Sequence, residues 1–363
     1  MNTRVVLLLV LGAAVAGAFA LLSSGGRPAA PGPGTNASGP VGVGAERPGG
    51  PAGAADGGGA AEGRATPFVS AAECRACHEE VYEEWRRSYH AMAWTDPMVQ
   101  ALSQGFRMTE CIDCHAPQPI HLTGVDQRVA PRQHGRSDGV DCLSCHLLED
   151  GVSVAAAADV DTSAVAGACR PRRSETFTTS VVCAGCHNQH ETVDELLASG
   201  VDAECQTCHM EETSRGAGDG ARKGRSHVFP GAHDTSMLQR AVSLAVRVES
   251  GKVLAQVENV GAAHKTPTDA RHRSYNVWIS AWDARGNPVV TDQAMTDGEF
   301  RLYYRDDFKE STQLVHGTPR TASWQVPEGF RGRVRVRLTY ALNPEELAAR
   351  RVAELHQQEV EIP

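Results

Sequence analysis

The apolar residues of this chain follow different patterns along its 363 residues. An uncharged apolar run occupies residues 5–22, whereas residues 23–66 are mostly Gly, Ala and Pro. After Ala241, apolar and polar residues alternate with a period of two, as in Val242 and Leu244. These changes divide the chain into an apolar segment at 1–22, a disordered linker at 23–66, a central domain at 67–238 and a β domain at 239–363.

The alternating pattern after residue 238 predicts antiparallel strands. Two alternating segments, 242–248 and 253–257, flank Ser250-Gly251, and this arrangement is typical of a hairpin with a two-residue turn. Further short alternating segments separated by turn residues are typical of a β-sandwich. Asn343-Pro344 is typical of a helix start, so we expect a short C-terminal helix that reaches about Gln357.

Residues 1–22 predict export from the cytoplasm. Arg4 precedes the apolar run, and Ala18-Phe19-Ala20 has the form of a signal-peptide cleavage site. The run is also long enough for an uncleaved anchor, since a membrane-spanning helix needs roughly 17 to 25 residues. Either fate places the rest of the chain in the periplasm or another extracytoplasmic compartment, soluble or tethered to the membrane through residues 4–22.

The central domain contains the pattern Cys-x-x-Cys-His five times. The copies are Cys74/Cys77/His78, Cys111/Cys114/His115, Cys142/Cys145/His146, Cys183/Cys186/His187 and Cys205/Cys208/His209. This pattern is the attachment site of c-type haem, because the two thiols bond the porphyrin and the adjacent imidazole ligates the iron. Zinc sites and disulfides also use paired cysteines, but zinc does not require a histidine after every second cysteine. We therefore expect five covalent haem c groups, with Cys169 left unpaired.

The composition agrees with an interior filled by haem. Only 5% of the residues are aromatic and 41% are hydrophobic, which is thin for a protein core, and porphyrins supply apolar surface instead. The expected fold is a mainly α or irregular multihaem cytochrome c domain wrapped around stacked haems, followed by an antiparallel β-sandwich with a short C-terminal helix. Export and a net charge of -9 argue against nucleic acid as a partner.

Residues around the motifs resemble those of a known family. The phrases are a helical stretch with Trp85, Ser88 and His90; His134 followed by Gly139-Val140-Asp141-Cys142; Cys208-His209-Met210; and His227-Val228-Phe229-Pro230-Gly231-Ala232-His233. In combination they resemble the cytochrome c-554 family of multihaem electron carriers, over about residues 70–270. Residues 259–268 resemble the Gly-x-Gly-His-x-x-Pro-Thr loop of related multihaem proteins, with Ala263 where glycine is usual.

Each iron needs a sixth ligand in addition to its motif histidine. Spacing and the resemblance together make seven other histidines candidates: His90, His121, His134, His190, His227, His233 and His264. His187 and His190 share one helical face, so His190 would serve a neighbouring haem. His78 and His90 are separated by about 18 Å along a straight helix, too far to bind one iron. The two ligands of one haem are therefore expected to come from different motifs, which packs the haems closely.

Two kinds of function are compatible with these features. In the first, the protein is not an enzyme but an electron carrier, in which bis-His haems pass electrons from a membrane quinol-linked donor to a periplasmic cytochrome or reductase. In the second, it is a multihaem oxidoreductase of nitrite or hydroxylamine, which needs one iron with an open position. Pentahaem nitrite reductases mark that haem with lysine in place of the motif histidine, and all five motifs here end in histidine. The sequence therefore favours the carrier. A third reading is a structural unit of a larger electron-transfer complex.

Overall fold

Short helices joined by turns dominate the first part of the fold. A computed structural model describes residues 68–157, 170–216, 221–268, 273–305, 308–349 and 352–363, so the predictions for 1–22, 23–66 and Cys169 lie outside it. The α-helices are α1 (Glu79–Arg86), α2 (Pro97–Leu102), α3 (Ile112–His115), α4 (Cys142–His146), α5 (Val181–His187), α6 (Thr192–Ala198), α7 (Cys205–His209) and α8 (Thr235–Ala241). The 3-10 helices are Ala71–Ala76, Thr109–Cys111, Ile120–Leu122, Arg136–Asp138, Glu175–Thr178 and Asn188–His190. No helix in the described ranges is long and apolar enough to cross a membrane.

Two small strand pairs are inserted among these helices. Strands β1 (Ser153–Ala156) and β2 (Arg170–Arg173) run parallel, between the third and fourth motifs. Strands β3 (Glu212–Arg215) and β4 (Arg222–Arg225) run antiparallel, directly after the fifth motif. Backbone carbonyls of both strand pairs accept hydrogen bonds from histidines of the helical part.

The second part of the fold is one large antiparallel sheet. Its strands are β5 (Val242–Glu249), β6 (Lys252–Asn259), β7 (Ser274–Asp283), β8 (Pro288–Phe300), β11 (Arg320–Gln325), β12 (Gly332–Ala341) and β13 (Ala353–Ile362), and β9 (Leu302–Arg305) pairs with β10 (Phe308–Ser311) beside it. The order across the sheet is β13-β12-β7-β8-β11-β6-β5. The predicted hairpin is confirmed, because β5 pairs with β6 across Ser250 and Gly251, which both have positive φ.

The sheet rolls up until its two edge strands meet. Gln358 on β13 donates to the Leu244 carbonyl at 2.8 Å and accepts from the Val246 amide at 2.9 Å. The sheet is therefore nearly barrel-shaped. The predicted antiparallel β structure is confirmed, whereas two facing layers of a sandwich are not confirmed, because these strands belong to one continuous sheet.

The C-terminal helix is shorter than predicted. Helix α9 (Pro344–Ala348) starts at the predicted place, but it ends well before Gln357, and the last residues form strand β13. The backbone of β12 is paired with β13 over almost its whole length. If the helix continued, the backbone groups of β12 would lose this partner strand. The prediction of a helix to about Gln357 was therefore wrong, because tertiary pairing outweighed local helix propensity.

Apolar packing differs between the two parts. The interior of the sheet is filled by large side chains that are fully buried, among them Tyr275, Ile279 and Leu338. In the helical part, the largest cluster of buried apolar residues is only Phe106, Ile112 and Ala116. A small core of this kind is expected where a prosthetic group supplies much of the apolar interior. The division into separate domains at 238/239 stays a prediction.

Candidate functional site

Four of the five motifs end on a short helix whose last residue is the motif histidine. These helices are α3, α4, α5 and α7, and the first motif instead begins within the 3-10 helix Ala71–Ala76. In the motif the second cysteine and the histidine lie three and four positions after the first cysteine, so one helical turn presents all three on one face. The Asp141 side chain caps the helix of the third motif, accepting from the Ser144 amide at 2.8 Å. The local structure thus presents two thiols and one imidazole together, as thioether attachment requires.

Two of the ten predicted attachment cysteines differ from the others in exposure. Cys77 of the first motif and Cys208 of the fifth are exposed, whereas the other eight motif cysteines are partly buried. Cys77 lies just beyond the end of the 3-10 helix at Ala76 and precedes the exposed His78. Attachment of haem through all ten cysteines stays a prediction from the motif spacing.

Three motif histidines are oriented by hydrogen bonds to distant backbone carbonyls. Their Nδ1 atoms lie 2.8 Å from the Ala93 carbonyl (His115), 2.8 Å from the Ala155 carbonyl on β1 (His146) and 2.7 Å from the Pro230 carbonyl (His209). A carbonyl can only accept, so each Nδ1 carries the proton and the lone pair is on Nε2. That is the tautomer with which imidazole binds a metal through Nε2.

Three motif histidines face a second imidazole from elsewhere in the chain. The ring centroids are 6.1 Å apart for His187 and His90, 6.3 Å for His146 and His227, and 6.4 Å for His209 and His264. Two imidazoles that bind one metal ion from opposite sides have centroids about 6.3 Å apart, because each metal–nitrogen bond is about 2 Å. The observed separations therefore fit a haem iron between each pair of rings.

These second imidazoles are held in the neutral form that binds metal. The pKa of His90 is lowered to about 3, first by burial and then by nearby imidazoles such as His187. The pKa of His227 is lowered to about 4, again chiefly by burial. Burial also lowers the pKa of His264. His227 and His264 donate from Nδ1 to backbone carbonyls at 2.9 Å, which leaves their Nε2 atoms free for a metal.

His90 is positioned by the segment that precedes the third motif. Helix α1 ends at Arg86, so the helical stretch predicted to contain Trp85, Ser88 and His90 ends before His90. The Val140 amide donates to the His90 carbonyl at 2.9 Å, and the Trp85 indole donates to the Val140 carbonyl at 2.7 Å. Gly139 is adjacent, and a Cβ atom at this position would lie 2.4 Å from the His90 carbonyl oxygen. Only glycine permits this close approach.

His227 is positioned by a partly buried ion pair. The Glu84 carboxylate on α1 accepts from Arg215 on β3 and from the His227 backbone amide, the latter at 2.9 Å. The Glu84 and Arg215 side chains are only 17% and 13% exposed. The segment that carries His227 is therefore fixed to the helix that follows the first motif.

Cysteine side chains of neighbouring motifs lie beside each other. Three cross-motif pairs are in proximity: Cys74 with Cys142, Cys114 with Cys186, and Cys183 with Cys205. The Phe229 ring lies between two of the second imidazoles, with its centroid 4.4 Å from that of His90 and 5.6 Å from that of His227. Contacts therefore connect all five motifs into one cluster.

His121 has an unsatisfied ring nitrogen. Its Nε2 is buried and has no hydrogen-bond partner among the described residues. Its ring centroid lies 6.2 Å from Phe177, and Phe177 lies 4.7 Å from His146. An orphaned buried nitrogen beside the third motif is consistent with a haem ligand, because a buried polar atom normally has a partner.

The other candidates differ in exposure and in their surroundings. His134 is exposed, and His233 is exposed and stacks on Tyr89 at 3.4 Å, a direct contact rather than the wider gap of the pairs. The backbone of His190 lies in the 3-10 helix Asn188–His190, while its side chain lies outside the described part. His78 is exposed and directly precedes α1. Among the described side chains, no second imidazole ring faces His78 or His115, so their ligand pairing stays a prediction.

The residues that position the histidines have no recognisable signal in the sequence. Glu84 and Arg215 are separated by 131 positions, and nothing in their local sequence indicates that they pair. The carbonyls of Ala93, Ala155 and Pro230 carry no side-chain signal at all. Gly139 and Phe229 were noticed only as parts of the family resemblance.

Comparisons with known proteins agree with this arrangement. Residues 73–147 match the family model described as cytochrome c554 and c-prime, and residues 177–214 match the doubled CXXCH motif. The fold resembles the crystal structure of a penta-heme cytochrome c552 from Thermochromatium tepidum, with a TM-score of 0.62, 21% identity, and 81% of this chain and 99% of that chain covered. At that identity the similarity shows the fold alone.

Other structural similarities are too weak to support an argument. A DUF3823 family protein from Bacteroides ovatus has a TM-score of 0.19 and 13% identity, over 34% of this chain and 53% of its own. A superoxide reductase in the oxidized state has a TM-score of 0.19 and 9% identity, over 34% of this chain and 88% of its own. No curated protein is significantly similar to the chain.

Proposed function

We propose, from the premise that this chain is a multihaem c-type cytochrome that binds haem c, that it is an electron-transfer protein with five covalent haems. The observation that carries the proposal is the set of three imidazole pairs with centroids 6.1, 6.3 and 6.4 Å apart. Haem c would supply one-electron redox chemistry when bound, and an iron held by both a motif histidine and a second imidazole such as His90 or His227 would have no position left for a substrate. Such sites support electron transfer rather than catalysis.

The contacts between motifs support a path through the protein. The first and third motifs meet at Cys74 and Cys142, and Phe229 joins His227 of the third site to His90 of the fourth. The fourth motif also contacts the second and the fifth through the remaining thiol pairs. We infer the order first, third, fourth, with the second and fifth sites branching from the fourth.

The protein acts outside the cytoplasm in this proposal. Covalent haem c attachment is completed in the periplasm or its equivalent, and residues 1–22 have the composition of an export signal or anchor. The donor is a membrane quinol-linked enzyme and the acceptor a periplasmic cytochrome or reductase. If residues 4–22 remain in the membrane, the linker at 23–66 lets the haem-bearing part move between the two.

The experiment that tests the proposal measures how many irons are open in the purified holoprotein. We expect wild-type protein to show little ferric high-spin EPR signal, little carbon monoxide binding when reduced, and no turnover of nitrite or hydroxylamine. His227→Ala opens the third site and adds one equivalent of carbon monoxide binding. Val228→Ala, at the exposed neighbouring position, serves as the matched control and leaves the spectra unchanged.

Two outcomes would contradict the proposal. A wild-type protein that reduces nitrite or oxidises hydroxylamine at a high-spin haem is a multihaem oxidoreductase instead. A His227→Ala protein with the spectrum of the wild type shows that the imidazole pairs do not hold iron.

A further inference from the structure

The loop that follows β6 carries His264 from the sheet to the fifth motif. Its first anchor is Asn259, the last residue of β6, whose side chain is fully buried. The Asn259 side chain donates to the His264 carbonyl at 2.8 Å and accepts from the Ala262 amide at 2.9 Å. The backbone on both sides of the loop tip is therefore tied to the end of a core strand.

The other end of the loop is equally well fixed to the sheet. Thr266 and Leu314 exchange backbone hydrogen bonds of 3.1 and 2.8 Å, and the Thr266 hydroxyl lies 2.9 Å from the Tyr275 hydroxyl. Thr266, Tyr275 and Leu314 are all buried. The loop thus behaves as a rigid extension of the sheet, and the sheet determines where His264 lies.

Glu195 on the helical part contacts this loop through both of its carboxylate oxygens. The Glu195 carboxylate on α6 accepts from the Lys265 backbone amide at 2.9 Å through Oε2, and Oε1 lies 2.9 Å from the Lys265 ammonium. The Glu195 side chain is only 17% exposed, which limits screening by water. The carbonyl of the same Lys265 accepts the hydrogen bond from Nδ1 of His264 at 2.9 Å. Fixing the Lys265 backbone therefore also fixes the orientation of the imidazole.

We propose that the β sheet is the scaffold that delivers His264 to the fifth haem site, and that Glu195 is the positioning residue that seats it through Lys265. This inference rests on the proposed function, because it takes His264 as the partner of His209. It assigns a role to the C-terminal sheet, which otherwise contributes no attachment motif. Loss of the Glu195–Lys265 contact is therefore expected to weaken the hold on the His264 imidazole.

The test follows carbon monoxide binding to the reduced holoprotein at the fifth site, a readout that does not depend on electron-transfer activity. His264→Ala defines the signal of a fully open fifth site. Glu195→Ala removes the acceptor of both Lys265 contacts, and we expect the rate of carbon monoxide binding at that site to rise about tenfold, because a hydrogen bond to a charged group is lost. Lys265→Met keeps the backbone contact and loses the ion pair, so its rate should lie between wild type and Glu195→Ala.

The matched control is Asp194→Asn, which removes a carboxylate from the next, exposed position of the same helix. It should bind carbon monoxide like the wild type. If Glu195→Ala yields no haem-loaded protein, Glu195→Gln and Lys265→Met decide the question, since both keep an acceptor or donor for the backbone contact.

The outcomes separate this inference from the proposed function. If His264→Ala opens a site and the Glu195 and Lys265 variants behave like Asp194→Asn, the positioning role of Glu195 is refuted and the ligand assignment stands. If His264→Ala leaves carbon monoxide binding unchanged, His264 is not a ligand, and both the fifth imidazole pair and the inference fall together.

Discussion

Substitution of Gly139 by alanine is expected to loosen the ligand of the fourth haem site without touching any motif residue. Gly139 has φ 62° and ψ -133°, a conformation that side chains disfavour by about 1 to 3 kcal/mol. The new Cβ would also lie 2.4 Å from the His90 carbonyl oxygen, so the backbone at His90 must move. That movement disrupts the hydrogen bond from the Val140 amide, which contributes about 1 kcal/mol.

Gly135 provides a matched control for this substitution. It has the same φ of 62°, and a Cβ atom there would meet nothing within 4 Å. Gly135→Ala should therefore cost only the left-handed backbone penalty of about 1 kcal/mol. Gly139→Ala should cost about 3 kcal/mol, and the difference of about 2 kcal/mol corresponds to roughly a thirtyfold shift in an equilibrium constant.

Two measurements on the holoproteins check this expectation. Guanidinium unfolding followed by Soret absorption gives the free energy of unfolding, and carbon monoxide binding to the reduced protein reports release of His90. We expect Gly139→Ala to bind carbon monoxide at one additional iron, or much faster than Gly135→Ala does. Equal stability and equal carbon monoxide binding of the two variants would refute the idea that Gly139 positions His90.

Three further predictions concern other parts of the protein. Glu84→Ala leaves the partly buried Arg215 without its carboxylate and should lower the free energy of guanidinium unfolding by about 2 kcal/mol, whereas Glu80→Ala on the exposed face of α1 should change it by less than about 0.5 kcal/mol. Similar losses for both variants would be inconsistent with the positioning role of Glu84. His121→Ala should convert one haem to a five-coordinate state, visible as a new ferric high-spin EPR signal, and an unchanged spectrum would remove His121 from the ligands. Leu338→Ala, at a fully buried position, should cost about 2 to 5 kcal/mol, and a thermal melting temperature like that of the wild type would show that the interior of the sheet tolerates a cavity.

Local patterns predicted the hairpin but not the end of the chain. The turn at Ser250-Gly251 requires two residues that tolerate positive φ. The dipeptide and the alternating residues on both sides of it can be recognised in the sequence. The residues after Ala348 contain no such signal. Whether they continue a helix or form β13 depends on the unpaired edge of β12, a partner that is formed only when the sheet assembles.

The haem attachment residues can be recognised from the local sequence, whereas the residues that position the histidines cannot. Thioether attachment requires fixed residue types at fixed spacing, so Cys142, Cys145 and His146 are recognisable in the sequence alone. The partner of a motif histidine is set by contacts between distant segments, as His227 is set by Glu84. Backbone carbonyls that orient an imidazole, such as that of Ala155, belong to any residue and leave no trace in the sequence.

We propose that this polypeptide encloses five covalently attached haems. The number of haems can be measured from the intact mass of the purified protein, made in a host that matures c-type cytochromes. We expect a mass that exceeds that of the polypeptide by five haem c groups. A colourless protein with the mass of the polypeptide alone, or with bound zinc, would contradict it.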